Sequence, residues 1–324
     1  MKIGNIEISG YAALAPMAGV ADKAMRQLCR EYGAAYTVGE LTSAKGVSMG
    51  DKKSASYLSV GDAERPMASQ LFGADPDIMA QAAKQALSFN PDFIDINMGC
   101  PAPKVAAGGG GSALLKNPRL AGEIVAAVKS AVNIPVTAKI RIGWDDNSIN
   151  ATEMAKILED SGADAITVHG RTRAQMYSPG VRRDIIREVK NAVQIPVIAN
   201  GDVTDAKSAK QMYDETDCDF IMVGRAAMGN PFVFEQINHY METGEILPEP
   251  SLQKRLELMI KHIELMHAYK DPYIAILESR KHTAWYMRGL KNAAAYRKMC
   301  AQIKSLDDIK RICEKVLAEN ADVC

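Results

Sequence analysis

The 324-residue chain has no run of about 18 apolar residues, the length a bilayer-spanning helix needs, so the sequence offers no transmembrane segment. It also lacks the charged-then-apolar N-terminal pattern of a secretory leader. The expected compartment is the cytoplasm, and no membrane partner is expected. Six cysteines are scattered at positions 29, 100, 218, 300, 313 and 324, with no Cys-x-x-Cys pair. That spacing argues against a disulfide framework and a zinc site, and fits a reducing compartment. Net charge is absent too, with 39 basic residues against 39 acidic. The balance is uneven, however. Residues 251–324 carry fourteen Lys and Arg against nine Asp and Glu, a surplus of five. A neutral chain with a basic C-terminal segment points to a localised polyanion contact rather than a wholly basic binder.

What is present is a repeating alternation. Short apolar runs at Ala12–Ala15, Tyr36–Gly39, Met67–Phe72, Phe93–Asn97, Val136–Ile142, Ala165–His169, Val197–Ala199 and Phe220–Val223 read as strands. Amphipathic stretches at Lys23–Tyr32, Pro76–Ser88, Pro118–Ala131, Thr152–Ser161, Asp184–Ala192 and Ala206–Tyr213 read as helices between them. Strands alternating with helices imply a parallel sheet with right-handed crossovers. Eight strands over this length predict a (β/α)8 TIM barrel, with an open doubly wound sheet as the alternative. Leu41–Ser59 has no clear pattern and could be helix, loop or lid. Around Pro248-Glu249-Pro250 the strand signals stop. Leu252–Tyr269, Ile274–Leu290, Ala293–Gln302 and Leu306–Glu319 read as helices, a small all-α bundle. The expected division is 1–247 for the barrel and 248–324 for the bundle.

Several residues in this frame could carry chemistry. Cys100 follows the strand Phe93–Asn97 through Met98-Gly99, and chemistry in such a barrel is done at the C-terminal ends of the strands. Most lone cysteines are nevertheless small buried hydrophobes. Asn200-Gly201-Asp202 and Gly224-Arg225 follow the seventh and eighth strands, the usual phosphate site of this barrel. Tight turns alone would also explain those glycines. Lys139 and Arg141 lie two apart on the fifth strand and share a face. If that face is interior, they need a ligand or a carboxylate such as Asp95. His169 ends the sixth strand, and Gln70, near the end of the third, can both donate and accept.

Two tempting motifs are set aside. Gly108-x-Gly110-x-x-Ala113 fits a dinucleotide fingerprint only loosely, because it does not follow a strand directly and no acidic residue stands about 20 positions on. It reads as a flexible loop. His262 and His267 are five apart, which turns them off one helical face, and no metal is expected. The run from Arg280-Lys281-His282 through Trp285-Tyr286-Met287-Arg288 to Lys291 and Arg297-Lys298 has no acidic residue between 279 and 306. Cations mixed with aromatics suit phosphate neutralisation and base packing. A solvated helix face over a core containing Trp285 and Tyr286 would produce the same pattern.

The segments Ala15-Pro16-Met17-Ala18-Gly19-Val20, Asn97-Met98-Gly99-Cys100-Pro101, Lys139-Ile140-Arg141, Val168-His169-Gly170-Arg171-Thr172, Asn200-Gly201-Asp202 and Gly224-Arg225 together resemble the tRNA-dihydrouridine synthases. Arg280-Lys281-His282 with Trp285-Tyr286 resembles that family's C-terminal helical domain. The match runs in order over most of the chain, and looks nearest the bacterial B-type subgroup. It implies reduction of a uracil C5=C6 bond in tRNA, with FMN as cofactor and NADPH or NADH as electron donor. It places Pro16, Met17 and Ala18 against the flavin, with Gln70 and Lys139 at its polar edge. His169, Asn200, Gly201, Asp202, Gly224 and Arg225 fall around its phosphate end. Asn97 and Arg141 fall near the target base, and Cys100 is implied as proton donor. Arg280, Lys281 and Arg288 are expected to grip tRNA, with the chain a monomer. One departure is that Lys104 is followed by Val105-Ala106-Ala107 and four glycines, where relatives often carry basic residues. The rival readings are a flavin barrel acting on a free pyrimidine, like dihydroorotate dehydrogenases, a non-catalytic RNA-binding barrel, and a phosphate-metabolite isomerase.

Overall fold

A computed structural model describes residues 1–320 of the chain, so Cys324 lies outside the described residues. Eight parallel strands form the barrel: β1 (Ala12–Leu14), β2 (Thr37–Val38), β3 (Met67–Phe72), β4 (Phe93–Met98), β5 (Val136–Arg141), β6 (Ala165–His169), β7 (Val197–Asn200) and β8 (Phe220–Val223). Each pairs with the next. Ile221 opposite Ala12 joins β8 to β1, and Thr37 opposite Met67 joins β2 to β3, so the sheet closes and the doubly wound alternative falls. The strands begin where they do for local reasons. Asp92 accepts the Met67 amide and Asp219 the Val197 amide, satisfying donors at the strand starts.

The inward faces stack in layers, as alternation along strands requires. The lowest layer is apolar: Ala13, Tyr36, Phe93, Ala165, Ile198 and Phe220 are buried together. Tyr36 packs 5.9 Å from the Phe93 ring and 6.0 Å from Phe220. A short hairpin, Lys2–Ile3 with Ile6–Glu7, sets Ile3 and Ile8 under this layer. That hairpin carries too few residues to show a period in the sequence. The next layer up is polar, with Gln70, Asp95, Thr137 and Thr167 buried on neighbouring strands. Outside the strands, the helices named above bury their apolar stripes against the sheet.

Two regions differ from the sequence reading. Leu41–Ser59 resolves into a short strand, Thr42–Ser43, and two one-turn helices, Ala44–Ser48 and Lys52–Ser56, capped by Ser43 and Asp51. Units this short are below the length at which periodicity is readable. The helix Phe232–Thr243, which packs outside the barrel, is not among the helical stretches read from the sequence.

That helix ends on Gly244, and Ser251 caps the Leu252–Tyr269 helix by accepting from the Lys254 amide. Pro272–Tyr286, Ala293–Cys300 and Leu306–Glu319 follow. Their buried faces (Leu256, Met259, Ile263, Tyr286, Tyr296, Ile312) form one core with Ala24, Leu28 and Phe232 of the barrel side. The second bundle helix ends at Tyr286 rather than Leu290, because the chain turns there through Gly289, at φ +80°. At Gly229, also at positive φ, a Cβ would lie 2.7 Å from the Trp285 backbone. Only glycine lets the bundle approach the barrel this closely. Among the described residues no helix is long and apolar enough to cross a membrane.

Candidate active site and nucleic-acid face

The C-terminal ends of the strands open into a cleft of about 1170 Å³. Its floor is the barrel mouth and one wall is the bundle. The sequence-derived residues Pro16, Met17, Ala18, Gln70, Asn97, Cys100, Lys139, Arg141, His169, Asn200, Gly201, Asp202, Gly224 and Arg225 all line it. Arg288 lines it too, while Arg280 and Lys281 do not.

Cys100 is held by its neighbours. Asn97 accepts the amides of Gly99 (3.2 Å) and Cys100 (2.9 Å), and Ser112 donates its amide to the Cys100 carbonyl at 3.1 Å. The glycine run lies directly behind. Gly111, at φ +57°, would place a Cβ 3.3 Å from that of Cys100 and 3.0 Å from its carbonyl oxygen. The loop read from sequence as merely flexible thus serves as close-packed support. Among the described cysteines, Cys29, Cys218, Cys300 and Cys313 are buried, and Cys100 alone is only half-buried.

Lys139 and Arg141 do share the interior face. Among the described residues the Lys139 ammonium meets no carboxylate within bridging distance. It donates to Asn200 Oδ1 at 2.9 Å, while Asn200 Nδ2 is occupied by the Met222 carbonyl at 2.8 Å. Burial, and then the Arg141 charge, push Lys139 down to about 7 against a weaker pull from Asp95. Arg141 donates from Nε to the Gly99 carbonyl and from Nη1 to those of Thr172 and Met176, each at 2.9 Å. Burial lowers it to about 10. Asp95 instead accepts from Gln70 (2.6 Å) and Thr137 (2.5 Å), and burial lifts it to about 6. The ion pair with Lys139 that sequence allowed does not form.

At the other end of the mouth, Asp202 bridges Arg171 and Arg225, the latter at 3.2 Å. Arg225 also stacks 4.8 Å over the exposed Tyr177 ring. His169 is held well below its ordinary value by burial and then by Lys139, Arg141, Arg171 and Arg225, so it is neutral at pH 7. The mouth therefore gathers cations with few acids among them, an electrostatic setting for an anion.

The basic run divides. Arg280 turns into the bundle and donates to the Ile303 carbonyl at 2.9 Å. Lys281 reaches the Gly19 carbonyl at 2.5 Å and lies 5.9 Å from the Trp285 ring. Arg288, Lys291, Arg297 and Lys298 are exposed. Tyr286 is fully buried, whereas Trp285 is half-buried and lines the cleft. His262 is buried against His282 at 4.9 Å and the Tyr286 hydroxyl at 3.1 Å. Sequence reasoning missed Arg255, Tyr177 and Leu252 as cleft residues. Nothing in their local pattern marks them, since only packing brings them to the mouth.

The family model for dihydrouridine synthase matches residues 13–322 of this chain. A probable tRNA-dihydrouridine synthase of Rickettsia conorii is 42% identical over 98% of this chain and 95% of its own length. The tRNA-dihydrouridine synthase B proteins of Vibrio vulnificus and Pseudomonas putida are 41% and 40% identical, covering 92% and 98% of this chain and 92% and 94% of their own. Among solved structures, morphinone reductase in complex with tetrahydroNAD superposes with a TM-score of 0.53 at 16% identity, over 79% of this chain and 92% of that one. At that identity the likeness concerns the barrel fold alone. The chain belongs to the dihydrouridine synthase family, alongside its bacterial B-type members.

Proposed function

We propose that this dihydrouridine synthase family member reduces the C5=C6 bond of particular uridines in tRNA to 5,6-dihydrouridine, with FMN as cofactor, NADPH as electron donor and Cys100 as proton donor. The observation that carries the reading is the setting of Cys100. A cysteine whose backbone amide is held by Asn97 stands at the lip of a cation-lined mouth, beside a basic helical wall.

The donor set fits an FMN. Met17 offers an apolar surface, Gln70 can donate and accept, and Lys139 has no carboxylate among the described residues to neutralise it. His169, Asn200, Gly201, Asp202, Gly224 and Arg225 are assigned to the phosphate end, and Pro16, Met17 and Ala18 to the ring. When bound, FMN would supply the hydride. Lys139 favours negative charge at the flavin edge. Arg141 stabilises charge that develops on the uracil carbonyl, and Asn97 donates to the base. Cys100 delivers its proton to C5, acting as general acid from a loop position. The base must leave its stack to reach the floor of the cleft. Residues 248–324 form the tRNA-gripping domain and 1–247 the catalytic one, in a monomeric cytoplasmic enzyme.

The deciding experiment is anaerobic reduction of the purified holoprotein with NADPH, followed by unmodified tRNA while flavin absorbance is watched. Bleaching and then tRNA-dependent recovery is the expected result. Recovery only with a free pyrimidine would move the assignment to a small-molecule dehydrogenase.

A further inference from the structure

Asn97 has a hydrogen-bonding capacity that can be counted. Its Oδ1 accepts two backbone amides, Gly99 at 3.2 Å and Cys100 at 2.9 Å. Backbone N–H groups can only donate, so the atom facing them must be the oxygen. The Asn97 nitrogen therefore faces Gln70, 2.9 Å away, and the Gln70 atom that it meets must be Oε1. Gln70 Nε2 is then directed at Asp95 Oδ2, 2.6 Å away. The second Asp95 oxygen accepts the Thr137 hydroxyl at 2.5 Å. Asp95, Gln70 and Asn97 are all buried at this depth.

We propose that Asp95 is a positioning residue: by accepting from Gln70 its carboxylate holds the Gln70 and Asn97 amides in the one polarity that the Gly99 and Cys100 amides also require, and Asn97 is left offering the cleft a single N–H donor. With Oδ1 filled and one hydrogen used, that N–H is all that Asn97 has left. A ligand atom that meets it must be an acceptor, such as a pyrimidine carbonyl oxygen, and an exocyclic amine there is rejected. The same chain ties Asp95 to the Cys100 backbone amide, three hydrogen bonds away. The inference rests on the proposed uracil chemistry only for the identity of the ligand. The polarity itself is a property of the protein.

The test compares Asp95→Asn with Asp95→Leu. In the first, the amide oxygen still accepts from Gln70 and the new NH2 donates to the Thr137 hydroxyl, so the order of donors and acceptors survives without the charge. In the second, nothing accepts from Gln70. Hydrogen exchange at the Cys100 amide, read in holoprotein without RNA, is expected to quicken roughly five- to tenfold in Asp95→Leu, the effect of loosening about one hydrogen bond. Asp95→Asn should stay near wild type. Turnover on tRNA should follow the same order, with kcat/KM rescued by Asn and not by Leu. Thr137→Val placed on the Asp95→Asn background removes the group that orients the new amide, and should reproduce the Leu result if Asp95→Leu does not fold. Equal loss in Asn and Leu would overturn the proposal, assigning the effect to the charge opposite Lys139. Unchanged exchange in both Asp95→Leu and the double variant would overturn it as well. Failure of the tRNA reading alone leaves the exchange result standing.

Discussion

Partly or fully buried cations are treated in opposite ways in two regions of this molecule. At the junction between barrel and bundle, Lys270 meets two carboxylates, Asp22 and Glu278. Although burial opposes it, those acids hold Lys270 above its ordinary value. Asp22 in turn stays ionised down to about 2 despite its burial, helped by His282 and Lys270. In the barrel mouth, among the described residues, Lys139 finds only an amide oxygen and Arg141 only carbonyls, and both are lowered. A junction neutralised from within is complete as it stands. A mouth that leaves positive charge uncompensated is stable enough to fold but favours an anion. This difference separates structure from function more sharply than burial does, because Lys139 and Lys270 are both only partly exposed.

The largest test of the comparison is chemical. Cys100→Ala should leave FMN content and NADPH oxidation intact, and lower turnover on tRNA by roughly 10²-fold, the lower range for removing a general acid. Rapid-mixing kinetics of each half-reaction would show it, and wild-type dihydrouridine yield at the wild-type rate would remove Cys100 from the mechanism. Next comes the junction. Lys270→Met strands Asp22 without its ammonium and should cost about 2 kcal/mol, below the figure for fully buried pairs because Lys270 is partly exposed. Urea denaturation measures this, and flavin reduction should not change.

The mouth answers differently to pH. Lys139 titrates near 7 in the folded apoprotein and near 10.5 unfolded. Between those values the unfolded chain binds more protons, so stability from this group rises as pH rises. The apoprotein should therefore show a higher urea midpoint at pH 9 than at pH 7, and Lys139→Met should flatten that slope. A slope that survives the substitution would assign it to other groups. The smallest effect concerns the exposed basic face. Arg288→Ala with Lys291→Ala should weaken tRNA binding several-fold and reduce the salt slope by about one to two. Arg280→Ala, whose guanidinium is bound to Ile303, should lower bundle stability instead. Filter-binding titrations at two salt concentrations separate the two outcomes.

The long elements were legible because burial on one side imposes a period. Phe93–Met98 and Pro118–Ala131 lie within a residue of where alternation and amphipathicity put them. The mouth residues were legible because strand ends are marked by Gly, Pro and polar residues, as at Asn97-Met98-Gly99-Cys100 and Asn200-Gly201. Leu41–Ser59 was not, since five-residue helices carry less than two turns of pattern. Arg280 read like Arg288, yet one lies along the bundle and the other in the cleft, eight positions further on. Helical phase and the turn at Gly289 separate them, and neither is a local property of a basic residue.

Taken alone, then, the order of residues determined a strand–helix alternation ending in a basic helical segment, with a thiol, two cations and two glycine turns at strand ends. These follow from local periodicity and chain stereochemistry. Only the tertiary structure decided that Asp95 turns to Gln70 and Thr137 and does not pair with Lys139. The Gly111 support behind Cys100 and the approach of Trp285 to Gly229 were decided there too. Each of these depends on which strand lies beside which and at what register, and contacts between positions so far apart in the chain leave no periodic trace in it.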